Sequence, residues 1–263
     1  MLIFEYNNLK INYEIFEEEA AKSLNNPPLL LLHGWMAQIE SWAPVYLHYM
    51  KTRKVYVVDF PGQAGKSSDL TEVWGVPEYA QMTKAFIESQ NIKSCDVIGH
   101  SFGGRVIIYL ASHYKDLFSK IVLTDSAGVK PKTSLKKQLS IYSYKIARTI
   151  LKIVLPKEKY EKKLEEMRKK KGSSDYALLN SDIKRETFKR IINLDLTKNL
   201  KEIANPTLLV WGENDTDTPL YMAKIMEKNI KDCGLVVLEG AKHFSYLDNT
   251  LKYLLVVDTF LDS

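Results

Sequence analysis

The sequence predicts an α/β fold: a mostly parallel sheet flanked by helices, with a helical cap inserted between two of its strands. Two observations carry this. Short, continuously apolar runs alternate with segments of helical period along most of the chain, as strands buried on both faces of a parallel sheet require. One middle stretch breaks both the alternation and the charge balance: residues 128–203 hold 21 Lys or Arg against 9 Asp or Glu, whereas the rest holds 16 against 23. The division that follows is a core of residues 1–126 and 204–263, with a cap (lid) at 127–203. A chain of 263 residues, 45% hydrophobic and 26% charged, suits one sizeable α/β domain without a second core.

The elements follow in order. Leu2–Tyr6 and Leu9–Phe16 read as a hairpin joined at Asn7-Asn8, residues that tolerate turn geometry. Apolar runs at Leu29–Leu32, Val55–Val58, Cys95–Ile98, Ile121–Leu123, Thr207–Trp211 and Leu235–Leu238 are the expected buried strands. Between them, Tyr79–Gln90 places Met82, Ala85 and Phe86 on one helical face, and Phe102–His113 is apolar nearly all round. Thr218-Pro219 reads as an N-cap and first helical residue, opening a helix with Met222, Ile225, Met226 and Ile230. Leu251–Leu261 is the last expected helix. Strand–helix alternation of this kind implies right-handed βαβ units. In the middle segment, Ser134–Leu155 is a basic amphipathic helix pattern and Lys157–Lys171 a charge-dense one. Two shorter helices are expected before Asn205-Pro206.

Gly99-His100-Ser101-Phe102-Gly103 follows one of these strands and opens a helix. A strained strand-to-helix turn with flanking glycines lifts a serine hydroxyl into a cleft. That makes Ser101 the candidate nucleophile. A hydroxyl needs a base. Of five histidines, His48 and His113 lie in helix patterns, His100 lies inside the turn and is expected to point away from the site, and His33 belongs to another motif. His243, in a loop just after the last predicted strand, remains. The base in turn needs a carboxylate to orient it. Gly212–Pro219 supplies Glu213, Asp215 and Asp217 after a strand. Asp215 is preferred, with Asp217 and Asp125 as rivals. The expected oxyanion donors are the backbone N–H of Phe102 and that of Trp35, in the turn His33-Gly34-Trp35-Met36 after Leu29–Leu32.

With these pieces in the order His33-Gly34, Ser101, Asp215, His243, the chain resembles the α/β-hydrolase superfamily over essentially its whole length. Val58-Asp59-Phe60-Pro61-Gly62-Gln63-Ala64-Gly65-Lys66-Ser67 is similar to that family's D-x-P-G-x-G-x-S loop, with one residue more than the usual spacing. Leu209–Asp215 resembles its acid loop, and Gly240–Phe244 its histidine loop, where Lys242 replaces a small residue. The inserted segment falls where family members carry a helical cap. The resemblance implies hydrolysis of a carboxylic ester or related acyl compound through an acyl-enzyme on Ser101. Serine at the turn argues against haloalkane and epoxide chemistry, for which relatives use aspartate. Carbon–carbon bond hydrolysis, or a receptor that keeps the triad, are the alternatives.

Trp35, His33, Tyr142 and Tyr176 are candidates to line the substrate pocket. Neither cofactor nor metal is expected, and the partner is a small-molecule ester. The net charge of +5 comes with no nucleic-acid-binding motif. A basic helix on a membrane surface is the weaker reading of Ser134–Leu155, beside that of a cap helix with its lysines in water. Two cysteines beside apolar runs, and no signal-like N-terminus, lead to an expectation of free thiols and a cytoplasmic location.

Overall fold

A computed structural model of the chain describes residues 1–131 and 181–263, with Pro156, Lys159 and Lys163 as isolated positions between them. The expected helices Ser134–Leu155 and Lys157–Lys171, and the residues Tyr142 and Tyr176, lie outside the described residues.

Eight strands form one sheet: β1 (Leu2–Tyr6), β2 (Leu9–Phe16), β3 (Leu29–Leu32), β4 (Val55–Val58), β5 (Cys95–His100), β6 (Phe118–Thr124), β7 (Thr207–Gly212) and β8 (Cys233–Leu238). Their spatial order is β1-β2-β4-β3-β5-β6-β7-β8. β2 runs antiparallel to both its neighbours, and every pairing from β4 to β8 is parallel. The hairpin turn uses Asn7 and Asn8 at φ 48° and 63°, the left-handed pair that a two-residue connection requires.

The continuous apolar runs have a direct physical reading. Leu30 and Leu32 of β3 face one core cluster and Leu29 and Leu31 face the other, all four fully buried. Successive strand residues point to opposite sides, so a strand covered on both faces has no solvated position. Helices α2 (Val76–Ser89), α3 (Phe102–His113) and α5 (Tyr221–Asn229) cover the first face, through side chains such as Tyr79, Phe86, Val106 and Met226. Helices α1 (Ala43–Tyr49) and α7 (Thr250–Leu261), with the single turn α6 (Ser245–Asp248), cover the other through Val45, Tyr246, Tyr253 and Val257.

Helix α4 (Asp182–Asn193) is the longer of the two elements between the undescribed stretch and β7, the other being a short 3-10 turn at Asn199–Glu202. Ser181 caps α4, its side chain accepting from the Lys184 N–H.

Two expectations shift. Helix α2 starts three residues earlier than Tyr79, because Gly75 and Glu78 form a backbone-to-carboxylate cap and Pro77 occupies the first turn. Thr218 is not the N-cap of α5, which opens at Tyr221. Its hydroxyl faces Asp215 Oδ2 at 2.6 Å and the carbonyl of Asp125 at 2.9 Å instead.

Candidate active site

Where β5 ends, the backbone must reverse into α3 within one residue. Ser101 makes that reversal at φ 49°, ψ −106°, a conformation costly for a side-chain-bearing residue and one that is kept where function requires it. The flanking glycines are steric necessities. A Cβ on Gly103 would sit 2.1 Å from the Leu32 carbonyl, and one on Gly99 would sit 2.4 Å from the end of Ile107. Helix α3 thus packs hard against β3 and β5, and the serine hydroxyl is presented at the carboxyl end of the parallel strands.

The loops after β7 and β8 converge on that hydroxyl. His243 Nε2 lies 3.0 Å from Ser101 Oγ, and His243 Nδ1 lies 2.9 Å from Asp215 Oδ2. A carboxylate only accepts, so Nδ1 carries the proton and Nε2 is left to accept from the serine. Asp215 is itself held: Oδ1 accepts from the N–H groups of Asp217 (2.8 Å) and Thr218 (3.0 Å), and Oδ2 faces the Thr218 hydroxyl. Burial pulls the His243 pKa down, but the hydrogen bond and charge of Asp215 outweigh it and leave it raised. Burial likewise works against ionised Asp215, and the contacts to His243 and Thr218 outweigh it, leaving its pKa lowered. Such a series can take a proton from the serine and stabilise the resulting imidazolium.

The opposite wall is the turn after β3. Trp35 lies beside Phe102, the residue after Ser101, with ring centroids 5.6 Å apart, and 5.3 Å from the ring of Phe188 on α4. A cavity of about 340 Å³ opens over Ser101 and His243, walled by Trp35, Val129, Phe188, Ile191 and Met222 among others. That size suits a small ligand.

Residues 27–250 match the model of the alpha/beta hydrolase fold family. The chain belongs to the α/β-hydrolase fold family. Among its relatives, a monoacylglycerol lipase of Xenopus laevis, abhd6-A, is 24% identical over 96% of this chain and 80% of its own length. The monoacylglycerol lipase ABHD6 of Homo sapiens is 24% identical over 91% of this chain and 76% of its own. A bacterial membrane phospholipase A superposes with a TM-score of 0.76 at 22% identity, covering 99% of this chain and 85% of that one. These descriptions agree with the hydrolase class expected from the motifs.

Within this α/β-hydrolase, Ser101, Asp215 and His243 are brought together as expected, and the two rival acids are not in that series. Asp125, at φ 44°, accepts from the N–H of Gly212 (2.8 Å) and that of Ser245 (3.0 Å). Burial drives its pKa up to about 7, against the pull of the Ser245 and Gly212 contacts. It ties the end of β6 to the ends of β7 and the histidine loop. Asp217 is exposed and lines the cavity, giving its N–H to Asp215. Among the described residues, Asp215, Asp217 and His243 form the one set with a cation's donor spacing, their atoms within 4.8 Å of each other. Asp215 and His243 already use theirs on one another.

His33 corrects an expectation. It is fully buried and does not line the cavity, since Nδ1–H donates to the Gly34 carbonyl (2.8 Å) and Nε2 accepts from the Phe60 N–H (3.0 Å). Burial lowers its pKa, so it is a neutral brace for the turn that carries Trp35. His100 corrects another. It reaches beneath the histidine loop, donating from Nε2 to the His243 carbonyl at 2.7 Å, and it lines the cavity. Burial, with the adjacent His243, holds its pKa down at about 3, which keeps it neutral.

Two further supports escaped the sequence reading. Gln63, the residue around the extra position in the glycine loop, accepts the Met36 N–H on its Oε1. Asp59 accepts from Ile39, Lys66 and Asn12, and Gly65 packs so close that a Cβ there would meet the carboxylate at 2.3 Å. The loop therefore keeps its anchoring despite its altered length. Only the aspartate and glycine types hinted at this, because the partners are distant in sequence.

Proposed function

We propose that this α/β-hydrolase is a serine carboxylic ester hydrolase working through an acyl-enzyme on Ser101. The observation that carries the reading is the hydrogen-bonded series Ser101–His243–Asp215, at 3.0 Å and 2.9 Å, at the floor of the cavity. His243 takes the hydroxyl proton as Oγ attacks the carbonyl carbon, and Asp215 stabilises the imidazolium. The tetrahedral oxygen is held by the backbone N–H groups of Trp35 and Phe102. The alcohol departs with the proton from His243. Water, deprotonated by His243, then releases the acid and restores the serine. The descriptions of the relatives as monoacylglycerol lipases and of a structural neighbour as a phospholipase A favour an acyl ester as substrate.

In the same reading residues 127–203 form a cap over the cavity. Phe188 and Ile191 of α4, which line it, support that placement. Hydrolysis of p-nitrophenyl acetate tests the assignment: Ser101→Ala protein loses turnover. Cleavage by that variant as fast as by the wild type overturns it.

A further inference from the structure

Arg105 lies on α3 four residues after Ser101, and it lines the same cavity. It is a cation, 4% exposed, in a cavity that Val129, Ile191 and Phe188 also line. Nη1 donates to the carbonyl of Leu194 at 2.6 Å, and the guanidinium has no carboxylate in ion-pair contact among the described residues. Asp195 acts on it through its charge, but that carboxylate accepts from the Thr197 N–H and hydroxyl at 3.0 Å and 2.6 Å. Burial lowers the Arg105 pKa only to about 10, so the group is charged at neutral pH.

A guanidinium has five N–H donors in a planar fork. Holding one backbone carbonyl uses one of them, and a buried cation without a carboxylate is costly to keep. The fork matches a carboxylate or phosphate, which it binds through two parallel hydrogen bonds. Four residues of helix offset the Arg105 backbone from Ser101 by about 6 Å along the axis. An ester placed at Ser101 therefore reaches the guanidinium through a short apolar spacer.

We propose that Arg105 is a specificity residue that receives an anionic group, carboxylate or phosphate, carried by the ester bound at Ser101. This rests on the ester-hydrolase reading above. The substrate class is then an amphipathic anionic ester, with its apolar spacer against Val129, Ile191 and Phe188 and its charge on Arg105.

Two matched pairs of esters test it and separate the position of the charge. Monomethyl glutarate against methyl valerate places the anion on the acyl side. 1-Butyrylglycerol 3-phosphate against 1-butyrylglycerol places it on the alcohol side. In at least one pair the wild type favours the anionic ester in kcat/KM by about tenfold or more. Arg105→Met abolishes that ratio, and Arg105→Lys, which keeps the charge but not the fork, retains part of it. Loss of the Leu194 contact acts on both members of a pair and divides out of the ratio. A preference unchanged in Arg105→Met, or no anionic preference in either pair, overturns the proposal.

Calorimetric binding of the same four compounds to Ser101→Ala protein needs no turnover. Tighter binding of the anionic member that disappears in the Ser101→Ala/Arg105→Met double variant supports the proposal, and equal binding by both proteins overturns it. Ester cleavage that survives Ser101→Ala defeats the acyl-enzyme reading on Ser101, while this binding comparison still decides Arg105.

Discussion

The two sides of Ser101 are built differently. On the acid–base side the polar atoms that matter are tied. Asp215 has partners on both oxygens, Asp125 accepts a backbone N–H on each oxygen, and the His243 carbonyl is held by His100. On the side of the turn after β3, the buried Trp35 Nε1, Gln63 Nε2 and His100 Nδ1 stand without partners among the described residues, against Ser245 Oγ alone beside Asp125, and Arg105 offers donors beyond the one that Leu194 takes. A group that moves a proton in every turnover must be fixed in angle and tautomer, and hydrogen bonds from several loops do that. The wall across the cavity is braced from behind, by His33 and Gln63, through backbone groups of the turn and its neighbours.

Breaking the fixed side gives the largest effect. Asp215→Asn leaves the shape intact but lets Nδ1 lose its obligatory acceptor, and kcat falls by roughly 10⁴-fold, as read by steady-state ester hydrolysis. Breaking the brace of the other wall costs less: Gln63→Leu leaves the half-buried Met36 N–H without its partner, worth about 1 kcal/mol of stability. The thermal midpoint falls by a few degrees, and the loosened turn lowers kcat by about tenfold, which calorimetry and kinetics on the same samples check.

Asp125→Asn sharpens the distinction between the two buried acids. An amide can accept only through its oxygen, so one of the N–H groups of Gly212 and Ser245 loses its partner. Stability in urea falls by about 1–3 kcal/mol, while the acid limb of kcat moves only a little to lower pH, because Asp125 acts on His243 through its charge, behind the larger hydrogen bond and charge of Asp215.

The smallest effect is a pH shift. The folded His243 pKa is raised above its ordinary 6.5. Catalysis needs the neutral ring, so kcat/KM rises with pH through that raised value. The protonated ring favours the folded state: its contribution is full below 6.5 and disappears as pH rises through the folded pKa. Activity and this part of the stability therefore move in opposite directions over one window, which paired rate and unfolding titrations read out. In Asp215→Asn the acid limb moves to lower pH, since burial then acts without the opposing carboxylate.

How much of this was written in the order of residues depends on the range of each contact. The strands were legible because burial on both faces leaves an unbroken apolar run, as in Leu29–Leu32. The turn at Ser101 was legible because its sterics demand Gly99 and Gly103 beside it in sequence. Asp215 and His243 could be placed because each sits in the loop after a parallel strand, β7 or β8, at the same carboxyl edge of the sheet where Ser101 follows β5. His100 beneath the loop of His243 and Asp125 on Ser245 were not legible, being separated by 143 and 120 residues with no local pattern to mark them. Thr218 misled for a related reason: Thr-Pro is a helix-start pattern, yet its hydroxyl is drawn to Asp215 and the Asp125 carbonyl. Arg105 reads in sequence as one polar residue in an apolar helix, and only the folded cavity shows what it faces.

Every step of the proposed chemistry passes through Ser101 as the nucleophile. Reaction with a fluorophosphonate followed by peptide mass mapping tests this most directly. A single adduct on Ser101, absent in Ser101→Ala and formed far more slowly in His243→Ala, is the result expected; an adduct on any other residue, or equal labelling of Ser101→Ala protein, contradicts it.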